Sequence, residues 1–152
     1  MAKMESGSGS DTGLIALLMQ ISKALHRRTP DELLGMRLKL FLLLGYVRDR
    51  GAVSQQELET GLLMDANTVV LLLNEAETAG FSVRKRDAAD RRRHMVELTE
   101  AGKLAVEHAE KAREGIEDDV LSDLSREERA ALRKLLKRVL AGLLKVPVES
   151  QS

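Results

Sequence analysis

Cysteine and tryptophan are absent from the 152 residues, and the only aromatic side chains are two phenylalanines and one tyrosine. Without cysteine there is no disulfide, no thiolate metal site and no thiol redox sensor, a composition that agrees with a reducing, cytoplasmic setting. Aromatics make up 2% of the chain against 43% for hydrophobic residues as a whole. Any core must therefore be built from leucine, valine, alanine and methionine, which favours helices over a sandwich of strands. The fold class expected is mostly α (α+β). Long apolar runs are also lacking. The most apolar stretch, "LKLFLLLGYV", is too short and too lysine-interrupted to span a bilayer. The opening "MAKMESGSGSDTG" has no apolar signal-peptide segment. A soluble chain of one domain, or one domain with dimerisation extensions, is expected, with no membrane partner.

Net charge is lacking too: 24 basic and 24 acidic residues give a formal charge of zero. The balance is uneven along the chain. Residues 84–94, "RKRDAADRRRH", hold six basic and two acidic side chains, so this segment carries +4 and the remainder −4.

Periodicity organises the rest. Residues 1–12 are polar and Gly/Ser-rich, and a disordered arm is expected there. Leu14, Leu17, Leu18, Ile21 and Leu25 recur at helical spacing to about Arg28. At "TPDE", Thr29 can cap, Pro30 suits the first helical position and Glu32 completes a capping box. The helix it opens continues through Leu38 to Val47, apolar nearly all round and so expected to be buried, and stops at Gly51. Ser54 with Glu57 begins a short helix, and Asp65 caps another that ends at Gly80, a helix-turn-helix pair. Period two then appears, with Phe81 and Val83 before the basic run and Val96 and Leu98 after it, which predicts a hairpin with an arginine-rich loop. Thr99 caps a long helix with an alanine-rich inner face, and a second capping box, Ser125 to Glu128, opens a last one. On that last helix Leu132, Leu135, Leu136, Val139, Leu140, Leu143 and Leu144 form one stripe, wider than a small domain needs, so a partner helix is called for.

Guanidinium groups on a narrow protruding loop can reach phosphates or enter a narrow minor groove. If Val69, Leu72, Leu73 and Ala76 face the core, the second helix of the pair presents Ala66, Asn67, Val70, Leu71 and Asn74 outward. Asparagine reads adenine edges, and valine or leucine can only contact thymine methyls. Two readings stay open: sequence-reading duplex DNA binding, and a winged-helix dimer that has lost DNA binding and docks a partner protein on Val70 and Leu71. Steep salt dependence belongs to the first. His26, His94 and His108 are scattered, with no HExxH, nucleophile elbow or Gly-rich phosphate loop. Neither an enzyme, a metal site nor a cofactor is expected.

From Leu14 to Leu144 the chain resembles the MarR family of dimeric winged helix-turn-helix transcriptional regulators. The match rests on Leu58, Leu62, Thr68-Val69, Glu77, Gly80, Arg84, Asp90-x-Arg92 and "LT" with Gly102, above all in "DRRRHMVELTEAG" and in "LSREERAALRKLLKRVL". Glu59, Val70 and Ala76 depart from the usual Ala, Ser/Thr and Leu. The resemblance implies a helix from Ala66 to Ala79 in the major groove and a wing-tip arginine in the minor groove, Arg92 first and Arg91 second, with Asp90 organising the wing. The DNA-facing set is then Ser54, Ala66, Asn67, Thr68, Val70, Leu71, Asn74, Arg84, Arg86, Asp90, Arg91, Arg92 and Arg93. It also implies a homodimer joined through Leu14, Leu17, Leu18, Leu135, Leu136, Val139, Leu140, Leu143 and Leu144, reading a pseudo-palindrome. The organisation expected is an arm at 1–12, a dimerisation helix and connection at 13–36, the winged domain at 37–99, dimerisation helices at 100–146 and a tail at 147–152. A small aromatic effector, as commonly met in the family, and a repressor's role complete the expectation. Met36, Leu40 and Tyr46 are assigned to the core rather than to an effector cleft.

Overall fold

The structure, a computed structural model, describes residues 13–28 and 36–145. The arm at 1–12, the capping box at Thr29, Pro30 and Glu32, and the tail at 147–152 lie outside the described residues. Among the described residues, six helices and three strands follow one another as α1 (Leu14–Arg28), α2 (Leu38–Arg50), β1 (Ala52–Ser54), α3 (Gln55–Leu62), α4 (Ala66–Thr78), β2 (Ser82–Arg86), β3 (His94–Leu98), α5 (Glu100–Val120) and α6 (Arg126–Lys145).

The caps read from the sequence set the boundaries. Ser54 accepts the Glu57 N–H while the Glu57 side chain accepts the Ser54 N–H, closing a capping box on α3. Asp65 accepts the Thr68 N–H at 2.7 Å and opens α4. Thr99 does the same for Gly102 on α5, and Ser125 and Glu128 form the reciprocal box on α6. Each cap satisfies N–H groups that the first helical turn leaves without partners. Gly51, at φ 86°, ends α2. The turn from α3 to α4 instead uses Leu63 at φ 55°, a left-handed conformation that costs a leucine roughly 1 kcal/mol.

Helix α2 is the centre of the core. Its Leu40, Phe41, Leu43, Leu44 and Val47 are buried together with Leu58 of α3, Val69, Leu72, Leu73 and Ala76 of α4, and Val106 and Ala109 of α5. Burial is not all round, because Leu42 is exposed. The sheet has the order β1-β3-β2, antiparallel throughout. Strand β1 was not anticipated: three residues are too few to show a period, and Val53 earns its place by pairing with Val96 across the sheet. The alternation in β2 also has the opposite phase from the one its apolar residues suggest. Ser82 is buried and Val83 exposed, since Ser82, Arg84 and Val96 share the face turned inward while Val83 pairs with Glu97 on the outer face.

Four elements meet around Phe81. Its N–H reaches back to the Ala76 carbonyl, and its own carbonyl accepts the Thr99 N–H at 3.0 Å. The Thr99 hydroxyl donates to the Gly80 carbonyl at 2.6 Å. Gly102 packs so closely here that a Cβ at this position would overlap the Phe81 carbonyl oxygen. Gly102→Ala is therefore expected to destabilise the fold by about 1 to 3 kcal/mol, as overpacking does. A fall in melting temperature of roughly 2 to 4 °C per kcal/mol is the readout, by differential scanning calorimetry.

Helices α1 and α6 contribute no buried residue. Leu14, Ile15, Leu17, Leu18, Met19 and Ile21 of α1 are exposed, as are Leu135, Leu136, Val139, Leu140, Leu143 and Leu144 of α6. No helix among the described residues is long and apolar enough to cross a membrane.

Candidate nucleic-acid interface

Helix α4 divides into two faces as its spacing requires. Val69, Leu72, Leu73 and Ala76 are buried; Ala66, Asn67, Leu71 and Asn74 are exposed, with Thr68 and Val70 half-buried at the border. Leu71 is 65% exposed, so the middle of the outward face is apolar. Ser54 does not join this face. It is buried, with both its hydroxyl and its N–H taken by the capping box, because a residue that caps α3 and ends β1 must point into the junction.

Strands β2 and β3 carry the basic loop beyond the end of α4. The loop is held by its own acids and backbone. Asp87 donates its N–H to the Arg93 carbonyl, and Arg93 donates its N–H to the Asp90 carbonyl. The carboxylates of Asp87 and Asp90 accept the N–H groups of Ala89 and Arg92 at 3.1 and 3.0 Å, two local turns of the kind aspartate favours. Arg86 crosses the loop to donate to the Arg91 carbonyl at 2.7 Å. Asp90 thus organises the tip chiefly through a backbone N–H. Its approach to the Arg92 guanidinium, 3.6 Å, is an ion pair on a side chain that is 94% exposed. The Arg91 guanidinium has no acidic partner among the described residues, which makes Arg91 the freer cation of the two.

Arg84 has a different position from the tip arginines. Sharing the inward face with Ser82 and Val96, it reaches α4 and donates to both carboxylate oxygens of Glu77, at 2.6 and 3.1 Å, and to Asn74 Oδ1 at 2.9 Å. This brace ties the wing to the helix. The hydrogen bond from Arg84, then its charge, holds the Glu77 carboxyl below the usual glutamate range, and Arg84 is pushed up in return. Glu110 is likewise held low by its hydrogen bond to Arg48, which joins α5 to α2 at 2.8 Å. Asp65 is held low first by the Thr68 N–H it caps.

The structure therefore gathers Ala66, Asn67, Leu71 and Asn74 on one exposed face, with Val70 at its border, beside a loop bearing Arg91, Arg92 and Arg93. It assigns Arg84 and Arg86 to holding that arrangement. Glu77 and Asp87 help to hold it as well, the first by accepting from Arg84 and the second from the Ala89 N–H. The family pattern includes Glu77, but its contact with Arg84 follows from the cross-strand register, which puts Arg84 on the helix side of the sheet against the phase that its apolar neighbours suggest. Glu59, half-buried on α3, accepts from Gln55 at 3.3 Å, and Ala76 lies in the core.

A helix-turn-helix whose second helix is exposed beside a two-stranded basic wing is the winged-helix arrangement. The chain is 30% identical over 127 residues, 84% of its length and 74% of the other's, to a protein proposed to regulate transcription of the hcr operon in Thauera aromatica. The crystal structure of MarR covers 92% of this chain and 97% of its own with a TM-score of 0.80 at 27% identity. The chain belongs to the MarR family. A MarR variant from Escherichia coli, crystallised with operator DNA, shares the fold at a TM-score of 0.65 and 22% identity, over 85% of this chain and 99% of its own. Two further curated regulators, 31% and 34% identical, are matched over 61% of their length. No protein-family model matches.

The brace makes stability pH-dependent. A carboxyl whose folded-state pKa is depressed contributes stability that is present above the ordinary glutamate value, about 4.3, and is lost as pH falls through the lower folded value. Glu77→Gln should lower stability at neutral pH by up to about 1 kcal/mol, given how exposed the pair is, and should shrink the acid-side loss. Urea denaturation at pH 7 and at pH 3 checks this, with an unchanged difference between the two pH values counting against the brace.

Proposed function

We propose that this MarR-family chain is a homodimeric transcriptional repressor that binds pseudo-palindromic operator DNA. The observation that carries the reading is the exposed arginine tip, Arg91 to Arg93, on a wing that Arg84 and Glu77 tie to α4 beside its exposed face. Helix α4 enters the major groove and the tip arginines follow the adjacent phosphates or the minor groove. Arg91 joins Arg92 as a lead contact because Asp90 leaves it unpaired. That a MarR variant sharing this fold was crystallised with operator DNA supports the DNA reading.

The apolar faces of α1 and α6 supply the dimer. A monomer in water does not keep two such faces open, and a twofold pairing that covers both sets of leucines buries them at once. Two lobes then meet half-sites about one helical turn apart. The same proposal includes release by a small aromatic effector and a cytoplasmic setting. Tyr46 is not free for such an effector, being packed against Gly61 and under the Arg50 guanidinium, 3.5 Å from the ring centre, and Met36 and Leu40 are core residues.

Two outcomes are expected. Arg91→Ala and Arg92→Ala should each weaken binding to the upstream region of the protein's own gene by about 1 to 3 kcal/mol and lower the salt slope by about 1, in fluorescence anisotropy titrations. Unchanged affinity and slope in the double variant would sink the DNA reading. Leu136→Glu with Leu140→Glu should give a monomer by sedimentation equilibrium and leave half-site binding weak; a dimer of unaltered strength would remove α6 from the interface.

A further inference from the structure

We infer that the α4 face reads its half-site through the C5 methyl groups of thymine, contacted by Leu71 and Val70, with Asn74 acting as a hydrogen-bond donor only. This rests on the DNA reading above and deepens it.

Asn67, Val70, Leu71 and Asn74 stand at i, i+3, i+4 and i+7 and so form one stripe along the helix. Its two middle members have no hydrogen-bonding atom, and Leu71 is the more exposed of them. In the major groove each base pair offers donors and acceptors, and thymine alone among the four bases adds a methyl group. An apolar centre can gain there only from that methyl. The flanking residues differ. Asn67 makes no side-chain hydrogen bond among the described residues and keeps both halves of its amide. Asn74 does not: Arg84 Nη2 donates to its Oδ1 at 2.9 Å, and both carboxylate oxygens of Glu77 hold Arg84 in place. A guanidinium has donors and no acceptor, so the Asn74 carbonyl must face it; one of its two lone pairs is committed, the amide is oriented toward Arg84, and the NH2 group is the end left for a base. The bidentate grip on adenine needs an acceptor and a donor together. Asn74, with its carbonyl engaged and its plane set by the brace, fits an acceptor instead, thymine O4 or guanine O6 and N7. This revises the adenine-reading role that the residue type alone suggests at position 74.

The occupant is duplex DNA rather than an apolar protein because the +4 wing segment lies beside the stripe, complementary to phosphates.

The test uses the full-length protein and a duplex enriched by it from a random-sequence library. The same duplex is made with deoxyuridine in place of each thymine of the protected half-sites, a change that removes only C5 methyl groups. The wild-type protein should bind the uracil duplex about fourfold more weakly for each methyl contacted, with the salt slope unchanged. Leu71→Ala should bring the ratio between the two duplexes toward one while keeping that slope. Equal binding of both duplexes by the wild-type protein, with a steep salt slope, overturns the inference and leaves the DNA reading standing. Enrichment of no duplex overturns both and favours a protein partner on the stripe.

Discussion

One backbone carbonyl, that of Phe81, fixes how the wing stands against α4. It accepts the N–H of Thr99, the residue that ends the returning strand and caps α5, and it lies against Gly102 in the first turn of that helix. Since Phe81 itself is tied back to Ala76, a displacement of the carbonyl moves the end of α4, the start of β2 and the start of α5 together. Side chains then refine what this junction sets. Arg84 spans from the inward face of β2 to Glu77 and Asn74, so the helix and the wing are joined once through backbone and once through charge.

The acids near the wing act mainly on shape. Glu77 orients a guanidinium, while Asp87 and Asp90 turn the loop by accepting N–H groups. What would look like self-defeating negative charge in a polyanion-binding loop is the means by which a short loop holds three consecutive arginines in one conformation. Arg86 belongs to the same scaffold through the Arg91 carbonyl. The cations left for a partner are accordingly fewer than the composition of the run suggests, and they are concentrated at its tip.

Much of the fold was legible because helices announce themselves by caps and by a period that one chain segment carries alone. Ser54, Asp65, Thr99 and Ser125 each cap where the sequence places them, and the buried set on α4 is the one its spacing requires. Strands were less legible, because their partners lie elsewhere in the chain. Nothing in "AVS" shows that Val53 will meet Val96, and the inward turn of Ser82 in place of Val83 is settled by cross-strand register. The site followed the same rule. The exposed face of α4 is a local property and could be read; the engagement of Arg84 with a helix seven residues upstream, and the burial of Ser54 at the junction of β1 and α3, are tertiary facts. The family pattern includes Glu77 and Arg84 without saying that they touch.

The wing segment's +4 against −4 in the remaining chain has a consequence for motion before any contact is made. A molecule of zero net charge feels little overall pull toward a polyanion, but a separated charge distribution feels a torque in its field. As the protein comes within a Debye length, roughly 8 to 10 Å at physiological ionic strength, the wing is drawn forward and the acidic remainder is turned away. On the DNA reading proposed above, wrongly oriented encounters are repelled, and search time is spent in poses where the wing and α4 already face the duplex.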